Sequence, residues 1–414
     1  MAKKQVKTNT SKFEVSKIGS IMNNIAKTVP IIVEDEVTER NFISTGVYIL
    51  DAAISGKLLN GGISSNRITA FAGDSGTGKS YIAYSCAKQA QMEGYYVVII
   101  DTEFAINLAD LPKYGVDISK DKLNLTHCNK AEEVNFTITQ LLDELKEMKK
   151  NGEEQKVMII LDSVGQLSSN KEKEDLLNGE SKIDMTRAKA INALFRSITV
   201  DLGYLNIPMV VCNQTYQTLD MFSQDVMKGG KGLLYAASVI CFLSKSKLKS
   251  GEEDELDLGQ SGINVLCKTM KNRLAKSKKI RFDISFISGM NPYVGLDYFC
   301  TAENFDKVGI AKGKMEIDKQ TGEMKFIPGG NRWYISHLDK SVTNKNLFNK
   351  NVFTDKVMKA LEPIINEYFS YASSDEIDNI RKAMDDDFDE RSNDKHDDNG
   401  FLDNADADTE LFGE

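Results

Sequence analysis

Residues 73–80 read Gly-Asp-Ser-Gly-Thr-Gly-Lys-Ser and match the pattern G-x-x-x-x-G-K-[ST] in full. Those residue types in that order suit a phosphorylated, anionic ligand. Glycines let the backbone curl until successive N–H groups point inward at phosphate oxygens, and a helix N-terminus adds its partial positive charge. The whole run, Gly73, Asp74, Ser75, Gly76, Thr77, Gly78, Lys79 and Ser80, therefore reads as a nucleotide cradle. Within it Lys79 neutralises the β- and γ-phosphates and the Ser80 hydroxyl faces a divalent cation, so ATP and Mg2+ are the expected cofactors.

Three more strand ends carry chemistry. In Val-Val-Ile-Ile-Asp-Thr-Glu, Asp101 and Glu103 stand at the C-terminal end of an apolar strand, the edge where open α/β sheets bind ligands. Glu103 can orient and deprotonate a water attacking the γ-phosphate, although taken alone it also fits an ordinary strand-end carboxylate. In Val-Met-Ile-Ile-Leu-Asp-Ser a third apolar strand ends in Asp162, which fits a Walker-B carboxylate holding Mg2+ directly or through water. A fourth apolar run ends in Cys212-Asn213-Gln214, and Gln214 can hydrogen-bond the γ-phosphate and report its presence to the segment beyond it. That segment, Thr215 to Leu233, is a polar stretch holding Phe222, Lys228, Gly229, Gly230, Lys231 and Gly232. The glycines permit close approach to a phosphate chain, the lysines add charge, and Phe222 can wedge against bases. A mobile surface loop is the plainer alternative for that stretch.

These residues need a frame. Ile68 to Ala72, Tyr96 to Ile100, Val157 to Leu161 and Met209 to Cys212 are short, continuous apolar runs, the pattern of parallel strands buried on both faces. Helix-like stretches alternate with them at Tyr81 to Glu93, Glu132 to Lys150 and Met185 to Leu202. The expected fold is α/β, with a mostly parallel, helix-covered sheet over residues 41–290. Ile263 to Lys268 and Ile280 to Phe286 should extend that sheet around a basic, hairpin-like stretch, Lys271 to Lys279. Ahead of the core, residues 1–40 hold a helix-like segment, Phe13 to Ile25, and a linker; a lone helix of this length should dock on something, such as a neighbouring subunit. Residues 291–372 read as a small C-terminal subdomain with the single Trp333 and an amphipathic segment, Val352 to Tyr371, and residues 373–414 as a disordered acidic tail.

Composition narrows the class. With 414 residues, 41% hydrophobic and 27% charged, the chain can bury a core without disulfides. The six cysteines (Cys86, Cys128, Cys212, Cys241, Cys267, Cys300) lack zinc-site spacing, and several sit in apolar runs, which points to a reducing, cytoplasmic setting. His127, His337 and His396 are far apart and read as structural or surface residues. No apolar run suits a membrane span and no secretion signal is visible, so no membrane partner is expected. The net charge of −9 is uneven: from Asp375 onward 16 acidic and 4 basic residues give −12, which leaves the first 374 residues at +3. A mildly basic body is compatible with nucleic acid, and the tail can compete with DNA phosphates for its Lys and Arg side chains or serve only as a solubilising end.

In order and spacing, Ile43 to Gly56 (ISTGVYILDAAISG), the phosphate loop, IDTEFA, Tyr114 to Asp117 (YGVD), LDSV and NQ resemble the RecA recombinase core. Gly19 to Met22 resembles the region ahead of that core, and DSVGQL, DMTRAK, LFR and MKGGKGLLYAA are most similar to the phage branch, the UvsX recombinases. The likeness covers roughly Gly19 to Val294. It implies an ATPase that forms filaments on single-stranded DNA and pairs it with homologous duplex, aided by a single-strand-binding protein and a loading mediator, in the host cytoplasm if the source is a phage. It implies Glu103 as catalytic base, Gln214 as γ-phosphate sensor, and DNA-binding loops over residues 166–184 and 215–233. Lys189 and Arg196, seven apart on one helix face, match a basic pair that contacts DNA phosphates. Lys271 and Arg273 resemble the pair that reaches a neighbouring subunit's ATP site. One departure stands out: Asp110 occupies the position where many relatives stack a Tyr on adenine, so the adenine contacts stay unassigned.

Two other readings share the core. A hexameric helicase is a motor rather than a filament, and the stretch ahead of residue 41 is too short for such an enzyme's own N-terminal domain. A non-catalytic accessory protein often lacks the catalytic carboxylate or the loop lysine, yet Glu103 and Lys79 are present. If the tail competes for DNA-binding cations, truncation before Asp375 tightens duplex binding and reduces its Mg2+ dependence; affinities unchanged across a salt titration refute that role.

Overall fold

The computed structural model describes residues 41–178, 186–217, 225–247 and 261–371. The expected N-terminal helix and the acidic tail lie outside the described residues. An antiparallel pair, β1 (Phe42–Ile43) with β2 (Ile63–Ser64), flanks helix α1 (Tyr48–Ser55). The four apolar runs then form β3 (Ile68–Gly73), β4 (Tyr96–Asp101), β6 (Val157–Asp162) and β7 (Met209–Asn213), with β5 (Leu123–His127) between the second and third. Helices α2 (Lys79–Met92), α3 (Ala131–Lys150), α4 (Asn170–Leu177) and α5 (Thr186–Tyr204) connect them.

The strands join a nine-stranded sheet that continues through β10 (Val239–Lys247), β11 (Gly262–Asn272), β12 (Lys279–Ser285) and β13 (Gly289–Met290). Its order is β5-β4-β6-β7-β3-β10-β11-β12-β13, parallel from β5 to β10 and antiparallel beyond. A two-stranded ribbon, β8 (Thr215–Gln217) with β9 (Asp225–Met227), leaves the end of β7 and leads into the short helix α6 (Gly232–Ala236). The basic stretch after Lys271 is indeed the turn between β11 and β12, with Lys268 paired to Lys279.

The continuous apolar runs are explained by burial on both faces. Val97, Ile99, Met158, Ile160 and Val210 pack on one side against α1 and α2. Val98, Ile100, Ile159, Leu161 and Val211 pack on the other against α3 and α5. Each side is dry and helix-covered, so neither alternate position admits a polar residue. The first of these cores also takes in residues of the C-terminal region. There α7 (Phe305–Val308), an antiparallel sheet of β14 (Ile310–Ile317), β15 (Met324–Ile335) and β16 (Lys340–Val342), and helix α8 (Asp355–Phe369) contribute Trp333, Ile335, Leu361 and Phe369. Among the described residues no helix is long and apolar enough to cross a membrane.

One charged residue sits deep in this frame. Asp51, in the first turn of α1, is 2% exposed and accepts bonds from Ser44 Oγ (2.5 Å), Thr45 N (2.6 Å) and Thr45 Oγ1 (2.7 Å). Burial pushes its carboxyl up to about 7, against the pull of those three donors. The folded state therefore holds the proton more tightly than the unfolded chain does. That contribution is complete below the ordinary carboxylate range and lost as pH rises through about 7. The denaturation midpoint should fall between about pH 4 and 7, with a flatter slope in Asp51→Asn; equal slopes in the two proteins refute the assignment.

Candidate nucleotide and nucleic-acid site

The phosphate loop spans the end of β3 and the start of α2. Gly78 lies at φ +89°, a conformation that turns the chain straight into the helix and that a side chain would strain. The Lys79 ammonium, inside the loop, donates to Gly73 O (2.9 Å) and Asp74 O (2.7 Å), and Thr77 Oγ1 closes the loop on Asp74 O (2.9 Å). Burial lowers the Lys79 pKa, opposed by the negative field of the carboxylates Asp162, Glu103 and Asp74. A second cation stands at the rim: Lys245, on β10 beside β3, donates to Ser75 O (2.8 Å). Sequence reasoning missed it because only the neighbouring of β10 and β3 brings it there.

Opposite the loop the carboxylates have different partners. Asp101 is 1% exposed and accepts from Glu103 N (2.9 Å) and Ile106 N (2.9 Å), with His127 Nδ1 at 3.3 Å. It organises the turn that carries Glu103 and also lines the cleft described below. The Glu103 Oε1 atom accepts from Ser163 Oγ (2.6 Å) and Gln214 Nε2 (3.3 Å). Ser163, which no sequence motif singles out, is itself fixed by Thr102, whose hydroxyl donates to Ser163 O (2.5 Å) and accepts from Ser163 N (2.8 Å). Asp162 accepts a bond from the Ser80 hydroxyl, so the two expected Mg2+ ligands meet. Burial raises the Asp162 pKa and the Glu103 charge adds to it, while Ser80 and Lys79 pull it down. Tyr84 Oη lies 3.4 Å from Asp162 Oδ2.

Between them lies a cleft of about 470 Å3, a size suited to a small ligand, lined by Ser75, Lys79, Glu103, Asp162, Gln214 and Tyr114. Asp110 lies at its far end in an ion pair with Lys113 (2.5 Å). The ring present there is Tyr114, edge-on to Tyr81 at 5.3 Å between centroids.

From the cleft a line of hydrogen bonds leads into the glycine-rich stretch. Gln214 Oε1 accepts from Lys228 Nζ (2.8 Å), and Gln214 O accepts from Lys228 N (2.9 Å). Gly229 and Gly230 come next, with φ of +89° and +84°, and pack on α5. A Cβ on Gly229 would sit 3.1 Å from Val164 and 3.2 Å from Ile191, and one on Gly232 would sit 2.8 Å from Asn192 Cα. The glycines therefore serve close packing on α5, whatever else approaches them. Lys189 and Arg196 are exposed on that helix, and Lys231 is exposed at the start of α6. Arg187 Nη2 ties α5 to Gly165 O (2.5 Å). Phe222 and most of the segment after α4 lie outside the described residues.

Lys271 and Arg273 flank Asn272, whose side-chain amide donates to Ala53 O (2.9 Å) and Ile54 O (3.1 Å) and pins the strand end to α1. Neither basic residue lines the cleft of its own chain. Lys271 Nζ donates to Leu234 O (2.7 Å) and Tyr235 O (3.1 Å) in α6, and its pKa is lowered by burial and by Arg273.

The close fit of Gly232 on α5 can be checked directly. Gly232→Ala forces its methyl against α5 backbone and should cost about 1–3 kcal/mol, read as a fall in Tm; an unchanged Tm refutes the close approach.

Known proteins place this architecture. The model of the RecA N-terminal domain matches residues 16–291, a span that contains the whole cleft and the β8–β9 ribbon. The chain is 30% identical over 333 residues to the recombination and repair protein of Enterobacteria phage T4, covering 78% of this chain and 80% of that protein. It is 30% identical over 274 residues to Protein RecA of Sulfurovum sp., covering 64% and 72%. With the mitochondrial DNA repair protein recA homolog of Dictyostelium discoideum it shares 25% over 363 residues, covering 84% and 73%. A parallel sheet with the phosphate loop at its edge, matched over two-thirds of the sequence, leaves one conclusion: the chain belongs to the RecA family.

Proposed function

We propose that this chain is an ATP-dependent strand-exchange recombinase, forming filaments on single-stranded DNA and pairing it with homologous duplex. The observation that carries the proposal is the unbroken line Ser163–Glu103–Gln214–Lys228, which joins the cleft to a basic, glycine-rich stretch. A nucleotide-binding site wired to such a surface suits an ATPase whose turnover depends on nucleic acid. The names of the T4 and Sulfurovum relatives favour recombination over unwinding.

The residues fit ATP and Mg2+. The Lys79 ammonium is held by two neutral carbonyls, partners that phosphate oxygens replace with a gain in charge complementarity. Ser80 and Asp162 offer one hydroxyl and one carboxylate on the same side of the cleft. Mg2+ takes few protein ligands and completes its shell with phosphate oxygens and water, so a larger acidic cluster is not needed. Bound there, the cation neutralises charge on the phosphate chain. Glu103 takes the proton of the attacking water and Gln214 donates to the γ-phosphate. Lys189, Arg196, Lys228 and Lys231, with the Gly229–Gly230 turn and Gly232, meet DNA phosphates, and Phe222 meets bases. Lys271 and Arg273 do not line their own cleft, as is required of side chains that complete a neighbour's. A single-strand-binding protein and a loading mediator are the partners such a filament needs.

Turnover measured with and without single-stranded DNA tests this reading, alongside assays of homologous pairing and forked-duplex unwinding. ATP hydrolysis should rise with DNA, and pairing should require ATP. Glu103→Gln should lower turnover by about 10²–10⁴-fold while nucleotide still binds. Lys79→Ala should abolish both turnover and pairing. Unwinding without pairing, or full pairing by Lys79→Ala, overturns the proposal.

A further inference from the structure

Lys228 is held from both sides. Its backbone N–H donates to Gln214 O (2.9 Å) and its carbonyl accepts from Asn213 Nδ2 (2.8 Å). Asn213 is fully buried, and its side-chain oxygen accepts from Gln214 N (2.8 Å), so one amide sets the relative position of Gln214 and Lys228. Before Lys228 stands the buried Met227, paired with Thr215; after it comes the Gly229–Gly230 turn against α5. Its half-buried side chain is thereby fixed at its base, and Nζ donates to Gln214 Oε1 at 2.8 Å.

The contact has a consequence for the amide at its other end. With Oε1 taken by the ammonium, the Gln214 NH2 group is turned toward Glu103 and donates to Oε1 at 3.3 Å. That same Glu103 oxygen already accepts from Ser163 Oγ. Two donors thus occupy one carboxylate oxygen, and an amide donating to Glu103 is not donating to a phosphate. The ammonium, for its part, can make three hydrogen bonds and makes one to a neutral oxygen among the described residues. An anionic phosphate oxygen is the stronger partner for it.

We propose that Lys228 is a DNA-responsive positioning residue for ATP hydrolysis. Without DNA its ammonium holds Gln214 against Glu103 and keeps the base occupied. A DNA phosphate draws the ammonium away, Gln214 is released to donate to the γ-phosphate, and Glu103 is left to take the proton from water. This rests on the recombinase reading and adds to it the residue through which a strand contact is felt in the cleft. A lysine that served only as a phosphate contact would not need its charge docked on the sensor glutamine.

The test is turnover of the full chain with and without oligo-dT. Lys228→Met removes the ammonium and keeps an unbranched stem; Lys228→Gln does the same should the thioether disturb the adjoining turn. In either, DNA-free hydrolysis should rise about tenfold, the size expected from releasing one hydrogen bond to a charged donor. More DNA should be needed for half-saturation, and the DNA-saturated rate should stay within about twofold of the parent, because release has already occurred there. Lys228→Arg, which keeps a charged donor in another shape, should give a DNA-free rate between those of the parent and Lys228→Met. Gln214→Ala added to Lys228→Met should erase the gain. A rise in rate on deleting a side chain does not arise from damaged folding. DNA-free rates at the parent level in both variants, with weaker DNA binding alone, make Lys228 a phosphate contact only and overturn the inference. Loss of turnover in both variants with and without DNA overturns it too, since Lys228 would then assist hydrolysis and not restrain it. A parent chain that hydrolyses no ATP under any condition sinks the recombinase reading, and this inference with it.

Discussion

Parallel pairing in register brings four strand ends to one edge of the sheet. Asp101 lies beside Asp162, Asp162 beside Cys212, Asn213 beside Ala72, and Gly73 beside Leu243. Because side chains alternate across a sheet, a slip of one residue in any pair turns a strand's whole apolar set outward and its terminal carboxylate to the other face. Two dry cores hold that register, so the position of every polar group in the cleft is fixed by hydrophobic packing well away from it. The cleft is a product of the frame.

A second constraint is one of charge. Lys79, Asp162 and Asp101 are each at most 9% exposed, within one polar seam between the cores. Such groups are tolerable only if each is met by a partner. The partners have been divided: Asp101 takes backbone N–H groups, Asp162 takes Ser80, Lys79 takes carbonyls, and Glu103 takes Ser163 and Gln214. Lys79 and Asp162 have pKa values moved toward neutrality by burial, so both are poorly solvated groups for which a charged partner would be a gain.

What the sequence made legible were features written in consecutive residues. The phosphate loop, the apolar strands and the residues closing them, Glu103, Asp162 and Gln214, can be read because strand, turn and functional group are contiguous. Strand β5 escaped because it is an edge strand with Leu123 alone buried, and so lacks an apolar run. Ser163, Lys245 and the Lys228–Gln214 contact escaped for a different reason. Each depends on which strands lie side by side or on how a ribbon folds back, and neither is encoded in local spacing. The sequence shows that the glycines after Lys228 permit close approach but not that helix α5 is one of the things that approaches.

Lys271 grips the carbonyls of Leu234 and Tyr235, in the helix that continues directly from the Gly229–Gly232 stretch. Its three ammonium hydrogens cannot serve those carbonyls and a distant anion equally well at once. Were an outside anion to draw on Lys271 as well, a shift of α6 and that anion would become terms in one free-energy cycle. Such a cycle is symmetric: by whatever factor occupancy of the glycine stretch changes the hold of Lys271 on an outside anion, that anion changes the affinity of the stretch by the same factor. Cause and response in such a cycle have no fixed direction.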